Sequence, residues 1–477
     1  MNRLARWTSD PRTVPDYAPA GHLIGNLEVG RDGTATTCKS TTTIDNFVVY
    51  ALDDEVKNPR VGSRNNPVRS AEAVWQEPQL TLTAAGRLDT AADTLQLASL
   101  DLGSRALVVH AAGKIDALTT QQNLNLTGKV DYDWNSLAPL LKPIFGKRVA
   151  IVGRESRNFS VRGPLNSGTA GQASSGAQTT GDTFASFRAL VGDLSFGWSQ
   201  ANLYGLGIGQ LDLEAHLENG TLALKPIETT IGDRRTPGTL TVAPIAHLSP
   251  GPAELVLGKG PLLTNVPVTD ELADAWMKFV APILAEATRT DGLVSVQLDG
   301  ARVPLSDPKR ADIGGKLIVK DLEVTPGPLF RPFALIGKQV EAIVKGRLIP
   351  NDLGRDPALL KIDDQTVDFH VVDGRVYHQG LSMKTGEVTI RTRGWVGLDE
   401  TVNIVAEIPV KPEWAAQRNS PLAGLTEDVI RIPIQGNLKD PKFDNRVMAK
   451  LIETLPRAAI ENAINKGIDR LFSPPEH

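Results

Sequence analysis

Between Thr366 and Pro441, apolar and polar residues alternate almost without interruption. Val367, Phe369 and Val371 lead to an Asp373-Gly374 turn and then Val376. Leu381 and Met383 lead to a second turn at Thr385-Gly386. Val388, Ile390, Thr392, Gly394 and Val396 follow, then a loop at 397–400, then Val402, Ile404, Ala406, Ile408 and Val410. A last strand, Val429 to Ile434, runs into Gly436 and Asp440-Pro441. Neighbouring side chains of a strand point to opposite faces, so a period of two gives each strand one apolar and one wet face. Asp-Gly turns join such strands as adjacent antiparallel pairs. The stretch therefore predicts a β-meander with one greasy face. A two-residue turn at 373–374 sets His370 opposite Tyr377 and His378 opposite Phe369, with the two imidazoles on opposite faces.

The order of hairpin, Gly-punctuated strand pair, long alternating strand, Ile432-Pro433-Ile434-Gln435-Gly436 and Asp440-Pro441 resembles the C-terminal region of AsmA-like proteins. It covers the chain best from about Leu211 onward, and Leu80 to Leu165 more loosely. The resemblance implies a long sheet curled into a groove lined by apolar side chains, in a bacterial envelope protein hung from the inner membrane by an N-terminal helix. It also implies a part in phospholipid traffic or outer-membrane assembly. The family grammar is one of strands and turns and contains no catalytic signature.

Bulk properties narrow the function classes. The chain has 477 residues, 41% hydrophobic and 22% charged, the balance of a globular protein. A net charge of -4 and a pI near 6.0 argue against a nucleic-acid protein, which carries a basic excess. One cysteine, Cys38, allows no intramolecular disulfide, and a single thiol fits an oxidising or a reducing compartment equally. No apolar run approaches the roughly 18–20 residues that span a bilayer. The first residues lack the apolar core of a signal peptide. Since the resembled family carries an anchor, the expectation is a start further upstream or a truncated reading frame, with a soluble protein as the alternative.

Along the chain, residues 1–20 hold Pro11, Pro15 and Pro19 and read as a poorly ordered lead-in. Residues 21–165 form an N-terminal β region, with a loop from Leu52 to Val74 and a short helix from Trp134 to Phe145. Residues 166–183 are Gly/Ser/Thr-rich and mark a linker. Residues 184–310 form a middle β region, with a helical turn at Phe184–Leu190 and a helix at 269–287. Thr269 caps that helix, Asp270 and Glu271 suit its N-terminus, and Leu272, Trp276, Val280, Ile283 and Leu284 form its stripe. Asp291-Gly292 and Asp299-Gly300 bracket a strand from Leu293 to Leu298, and Ile313 to Val324 reads as a strand pair. Residues 311–443 form the AsmA-like C-terminal β region, with Ala334 to Val340 as a short helix. Residues 444–477 form a C-terminal amphipathic helix that covers the sheet or touches a membrane.

One supersecondary unit occurs twice. Leu213, Ala215, Leu217, Asn219, Gly220, Leu222, Ile227 and Gly232 share their spacing with Val367, Phe369, Val371, Asp373, Gly374, Val376, Leu381 and Gly386. Such a repeat suits a sheet grown by adding like units.

Motifs for chemistry are missing. The seven histidines include no helical His-x-x-x-His pair. Lysine follows glycine at Lys114, Lys129, Lys147, Lys259, Lys316 and Lys338, never with Ser or Thr next, so no P-loop exists. Gly205-Leu-Gly-Ile-Gly209 lacks dinucleotide spacing and reads as a turn or bulge. Lys384-Thr385-Gly386 has no Ser-x-x-Lys to serve. No catalytic, cofactor-binding or metal-binding residue is assigned.

The expected fold is mainly β: a long curved antiparallel sheet, groove or sandwich-like, with a few helices and a C-terminal amphipathic helix. The expected function is non-enzymatic. A one-faced sheet must bury that face under its own elements or under a guest. The candidate lining is Val388, Ile390, Val402, Ile404, Ala406, Ile408, Ile430, Ile432 and Ile434, with lipid acyl chains as guest. Arg391 and Arg393, beside Trp395, are the candidate headgroup rim, since a guanidinium grips phosphate with two parallel bonds. The resemblance adds a periplasmic, inner-membrane-associated location. The alternatives are a ligand-free structural scaffold, a protein-docking module, and a hydrolase built on a polar cluster that sequence does not show.

Overall fold

The computed structural model describes residues 17–33, 35–52, 71–141, 149–165, 185–203, 205–232, 237–284, 287, 289–325, 360–412 and 429–443. These residues form 27 strands of one sheet, and every pairing in it is antiparallel. Among them no helix is long and apolar enough to cross a membrane.

The sheet is one meander whose middle strands are bent. It begins with β1 (Tyr17–Asp32), β2 (Ala35–Leu52), β3 (Ala71–Asp89), β4 (Thr94–Gly103), β5 (Leu107–Asp116) and β6 (Asn123–Asp133), each paired with the next. Further on, single runs of chain divide in two. Gly153 separates β7 (Val149–Val152) from β8 (Arg154–Pro164), and Ser199 separates β9 (Val191–Trp198) from β10 (Gln200–Leu203). The same break recurs between β11 (Leu206–Ile208) and β12 (Leu211–Glu218), and between β13 (Thr221–Leu224) and β14 (Ile227–Ile231). It recurs again between β15 (Gly238–Val242) and β16 (Pro244–His247), and between β17 (Glu254–Leu257) and β18 (Gly260–Pro267). The halves on one side of the breaks pair as a long ladder, β6–β8–β9–β12–β13–β16–β17. The other halves pair as a short ladder, β7–β10–β11–β14–β15–β18.

Both ladders end on one strand, β19 (Arg289–Pro304), where Leu293–Leu298 takes β18 and Ala301–Pro304 takes β17. From sequence, Asp291-Gly292 and Asp299-Gly300 are expected to bracket the strand from Leu293 to Leu298. Gly292 and Gly300 are instead bulges inside this strand, with φ of 147° and 155° and register shifts beside them. Glycine tolerates that backbone, so a turn-like dipeptide bends a strand without ending it. Likewise Ile313 to Val324 is no strand pair but one strand, β20 (Asp312–Thr325), paired along β19. Then come β21 (Leu360–Ile362), β22 (Gln365–Val372), β23 (Arg375–Thr385), β24 (Val388–Gly397), β25 (Thr401–Pro409), β26 (Val429–Asn437) and β27 (Asp440–Phe443).

The Gly/Ser/Thr-rich segment, placed at 166–183, lies outside the described residues, and the sheet continues across it, β8 pairing directly with β9. The lead-in expectation is too long, since β1 begins at Tyr17, and the 52–74 loop is too long at its far end, since β3 begins at Ala71. The Ala334–Val340 helix and the 444–477 helix also lie outside the described residues.

The helices sit where strands break off. α1 (Trp134–Leu137) continues as a 3-10 turn (Ala138–Leu141), and Asp133 caps it by accepting from the Asn135 amide at 3.0 Å. Ala185–Ala189 forms the expected helical turn. The helix at 269–287 is present but shorter and irregular. It begins at Asp270 under the Thr269 cap, whose Oγ1 accepts from the Leu272 amide at 3.2 Å. A π-helical stretch at Ala273–Met277 follows, then α-helix at Lys278–Val280, and Pro282 opens a 3-10 turn.

Candidate functional site

The register settles which residues share a face. Cross-strand partners in a sheet point to the same side, so one row can be followed from strand to strand. Leu23 pairs Ile44, and Ile44 pairs Leu80. Leu82 pairs Leu102, which pairs Val109, which pairs Val130. Leu126 pairs Val161, and Gly128 pairs Phe159, which pairs Leu194. Leu194 pairs Ala215, which pairs Leu224. Leu222, Ala246, Leu255 and Val303 close the row onto β19. Past it, Ala301, Ile313, Val371, Val376, Val396 and Val402 carry the same face to β25. A single apolar face therefore runs the width of the long ladder.

Its two ends differ in what covers it. On the C-terminal side, the short ladder, the helical segment from Leu272 to Leu284 and strands β19–β26 form one sealed core. Met277 and Leu284 are fully buried there, beside Ile390, Ala406 and Ile432. All nine candidate lining residues share this face, and none is more than 6% exposed. They are brought together, but as sealed interior and not along an open groove. The physical reason is that the bent strands and the 270–284 helix fold back over them.

On the N-terminal side the face is a single layer among the described residues. Leu95, Leu97, Leu100, Leu102, Leu124, Leu126 and Val161 are half-buried, as side chains packed only by sheet neighbours should be. Leu82 is 39% and Leu194 46% exposed. At the edge strand Leu27 reaches 65%. The open surface is thus built by β1–β6, β8 and β9, not by the strands singled out in the sequence.

One margin of the open face is stopped by α1 and its 3-10 turn. Leu137 packs with Ala106 and Tyr132, and Leu140 joins Trp75 and Phe47. Two polar anchors hold this stop. The Trp134 indole donates to the Gly197 carbonyl at 2.7 Å. The buried Glu77 carboxylate accepts from the amides of Ala106 and Arg105, the Ser104 hydroxyl and the Trp75 indole, at 2.9 to 3.1 Å.

The opposite face is wet and charged. Cross-strand ion pairs join Asp101 to His110 at 2.7 Å, Asp193 to His216 at 2.8 Å, and Asp312 to His370 at 2.7 Å. The His110 ring holds the Asp101 carboxyl below its usual range, and the His216 ring does the same for Asp193. In return the Asp193 carboxylate raises the His216 pKa. Arg391 and Arg393 belong to this wet face, with their neighbours Ile390 and Thr392 turned inward. Arg393 binds the Glu407 carboxylate at 3.1 Å, and Glu407 also takes Arg431 at 3.4 Å. The two arginines therefore stand behind the apolar face and do not rim it. Trp395 shares their face, where the Arg375 guanidinium lies 4.5 Å over its ring.

His370 and His378 diverge as the turn dictates, in the expected register with Tyr377 and Phe369. His378 is 1% exposed, its Nε2 sits 3.3 Å from the Thr392 hydroxyl, and Nδ1 finds no partner among the described residues. Burial pushes its pKa down to about 4. Among the described residues no group of three His, Cys, Asp or Glu side chains is placed to hold a metal ion. A polar cleft beside the helical segment is occupied by its own ion pairs, Lys278 to Glu400 at 2.8 Å and Lys439 to Glu400 at 3.2 Å.

The comparisons with known proteins add no relative: no family model, no curated protein and no solved structure matches the chain.

Proposed function

We propose that this chain is a non-catalytic lipid-handling protein of the cell envelope, shielding acyl chains against the open apolar face of β1–β6, β8 and β9. One observation carries the reading: an apolar face running from β3 to β9 through Leu82, Leu102, Val109, Leu126, Val161 and Leu194 is half-buried or exposed at these positions, with no second layer over it among the described residues. Apolar surface left open over this width marks an interaction site. Acyl chains suit it because from β3 to β6 the face is apolar, the small hydroxyls of Thr36, Ser40 and Thr42 being its polar groups on β2, and it has no fixed pocket shape, only length. Along β4 the apolar positions run from Leu95 to Leu102, about 24 Å at the rise of a strand, comparable with an extended fatty acyl chain. The resemblance to AsmA-like proteins points the same way and supplies the periplasmic, membrane-associated setting as part of this proposal.

The sealed C-terminal half favours a second role for that part, as a structural scaffold that holds the open half in shape.

The test is purification without detergent, organic extraction and mass spectrometry of the wild type and of Leu97→Glu/Leu126→Glu. The wild type is expected to carry phospholipid, and the variant to keep its β circular dichroism and lose most of the lipid. A lipid-free wild type, or equal lipid in both, would overturn the reading.

A further inference from the structure

We propose that two copies of this chain join edge to edge through β1, antiparallel about a two-fold axis at Gly25, so that their apolar faces form one surface. Among the described residues the first and last strands of the meander are unlike each other. β27 is four residues long and carries Asp440, Pro441 and Lys442, the charges and proline that blunt an edge against pairing. β1 is sixteen residues long, and its positions 20–30 contain a single charged residue, Glu28. Among the described residues β1 pairs only with β2. Residues 20 to 31 are exposed at every position, and both of its faces carry apolar side chains, Leu27 at 65% and Ile24 at 58% exposure.

The strand is complementary to itself. An antiparallel pair centred on Gly25 sets Leu23 against Leu27 of the second copy, and Leu27 against its Leu23. On the wet face it sets His22 against Glu28, twice. Leucine meets leucine and imidazole meets carboxylate in the same register, while Ile24 faces Asn26. A two-fold axis normal to the sheet keeps each face on its own side, as an isologous contact requires. Leu23 and Leu27 lie in the row that continues through Ile44 and Leu80, so pairing would extend the open apolar face from one copy into the next. The pairing stands independently of the lipid reading, although it would double the surface that reading uses.

Sedimentation velocity at micromolar concentrations tests it, together with Leu27→Lys and a single-cysteine cross-link. Gly25→Cys in a Cys38→Ser background places two thiols on the axis. A Cβ at Gly25 meets only the Thr42 hydroxyl at 3.6 Å, so the fold should accept it. Expected are a wild-type dimer, a Leu27→Lys monomer with unchanged circular dichroism, and fast oxidative cross-linking at position 25 but slow at Ile24→Cys. A monomeric wild type overturns the proposal, as does an open-ended assembly, which would mean β1 pairs with a different edge. Lipid content is measured on the same samples: lipid in a monomeric wild type ends the dimer alone, and a lipid-free dimer ends the lipid reading alone.

Discussion

Two alanine substitutions on the same sheet face should differ about threefold in cost. Ile408 is fully buried in the sealed core, and Leu194 is 46% exposed on the open layer. Ile408→Ala deletes three carbon groups from a closed interior. At about 0.8 kcal/mol each the transfer loss is about 2.4 kcal/mol, and the cavity left behind brings the total to about 3–4 kcal/mol. Leu194→Ala deletes as many carbons, but nearly half of that surface already meets water, and water fills the gap. Its cost is about 1 kcal/mol. Urea denaturation read by tryptophan fluorescence measures both, with the slope required to stay constant so that midpoints compare directly. Equal costs of about 3 kcal/mol would show that the N-terminal layer is sealed too. The reasoning about an open face would then fail at its base.

Further expectations rest on single groups. His378 is held neutral by burial, with a pKa of about 4 against 6.5 for the free ring. The unfolded chain therefore binds a proton below about pH 6.5 that the folded chain refuses until about pH 4, so stability falls as pH drops through that window, by about 3 kcal/mol in all. His378→Leu should flatten the slope; an unchanged slope in stability against pH would refute the assignment. The Glu400 carboxyl is lowered chiefly by Lys278, so it contributes stability above its unfolded pKa that is lost as pH falls through the folded one. Glu400→Gln should cost about 1–2 kcal/mol at neutral pH and little in strong acid, checked by denaturation at both. Glu77→Ala should strand several buried donors and cost about 3 kcal/mol or more, with hydrogen exchange rising first at the amides of Arg105 and Ala106. Gly394→Ala would drive a Cβ to 2.3 Å from the Asn403 carbonyl at a φ of 141°, and should fold poorly, as a thermal melt would reveal.

Much of this fold could be read from alternation and turn chemistry. The 373–374 hairpin has its expected register, and the repeat is real in three dimensions. Asn219 and Gly220 adopt φ of 52° and 71°, Asp373 and Gly374 adopt 49° and 70°, and at the offset where the first unit's second strand divides into β13 and β14 the other unit's β23 carries a bulge, between Gln379 and Leu381. The Thr269 cap was legible because a threonine before two acids has few other uses. What escaped was coverage. Alternation says that Ile390 and Leu126 each sit on an apolar face; it does not say that helix 270–284 lies over one and, among the described residues, nothing over the other. That depends on where long strands bend, at positions as plain as Ser199 and Ala243, which carry no signal of period or charge. The arginines fail for a related reason: parity put Arg391 and Arg393 together, but only the coverage of Ile390 shows that theirs is the outer side.

The most direct measurement is a photo-crosslinking amino acid placed at Leu126 and, separately, at its neighbour Thr127, with adducts read by mass spectrometry after irradiation in the presence of phospholipid vesicles. The account predicts lipid adducts at 126, on the open apolar layer, and almost none at 127, one residue away on the wet face. Adducts at neither position, or equally at both, would contradict it.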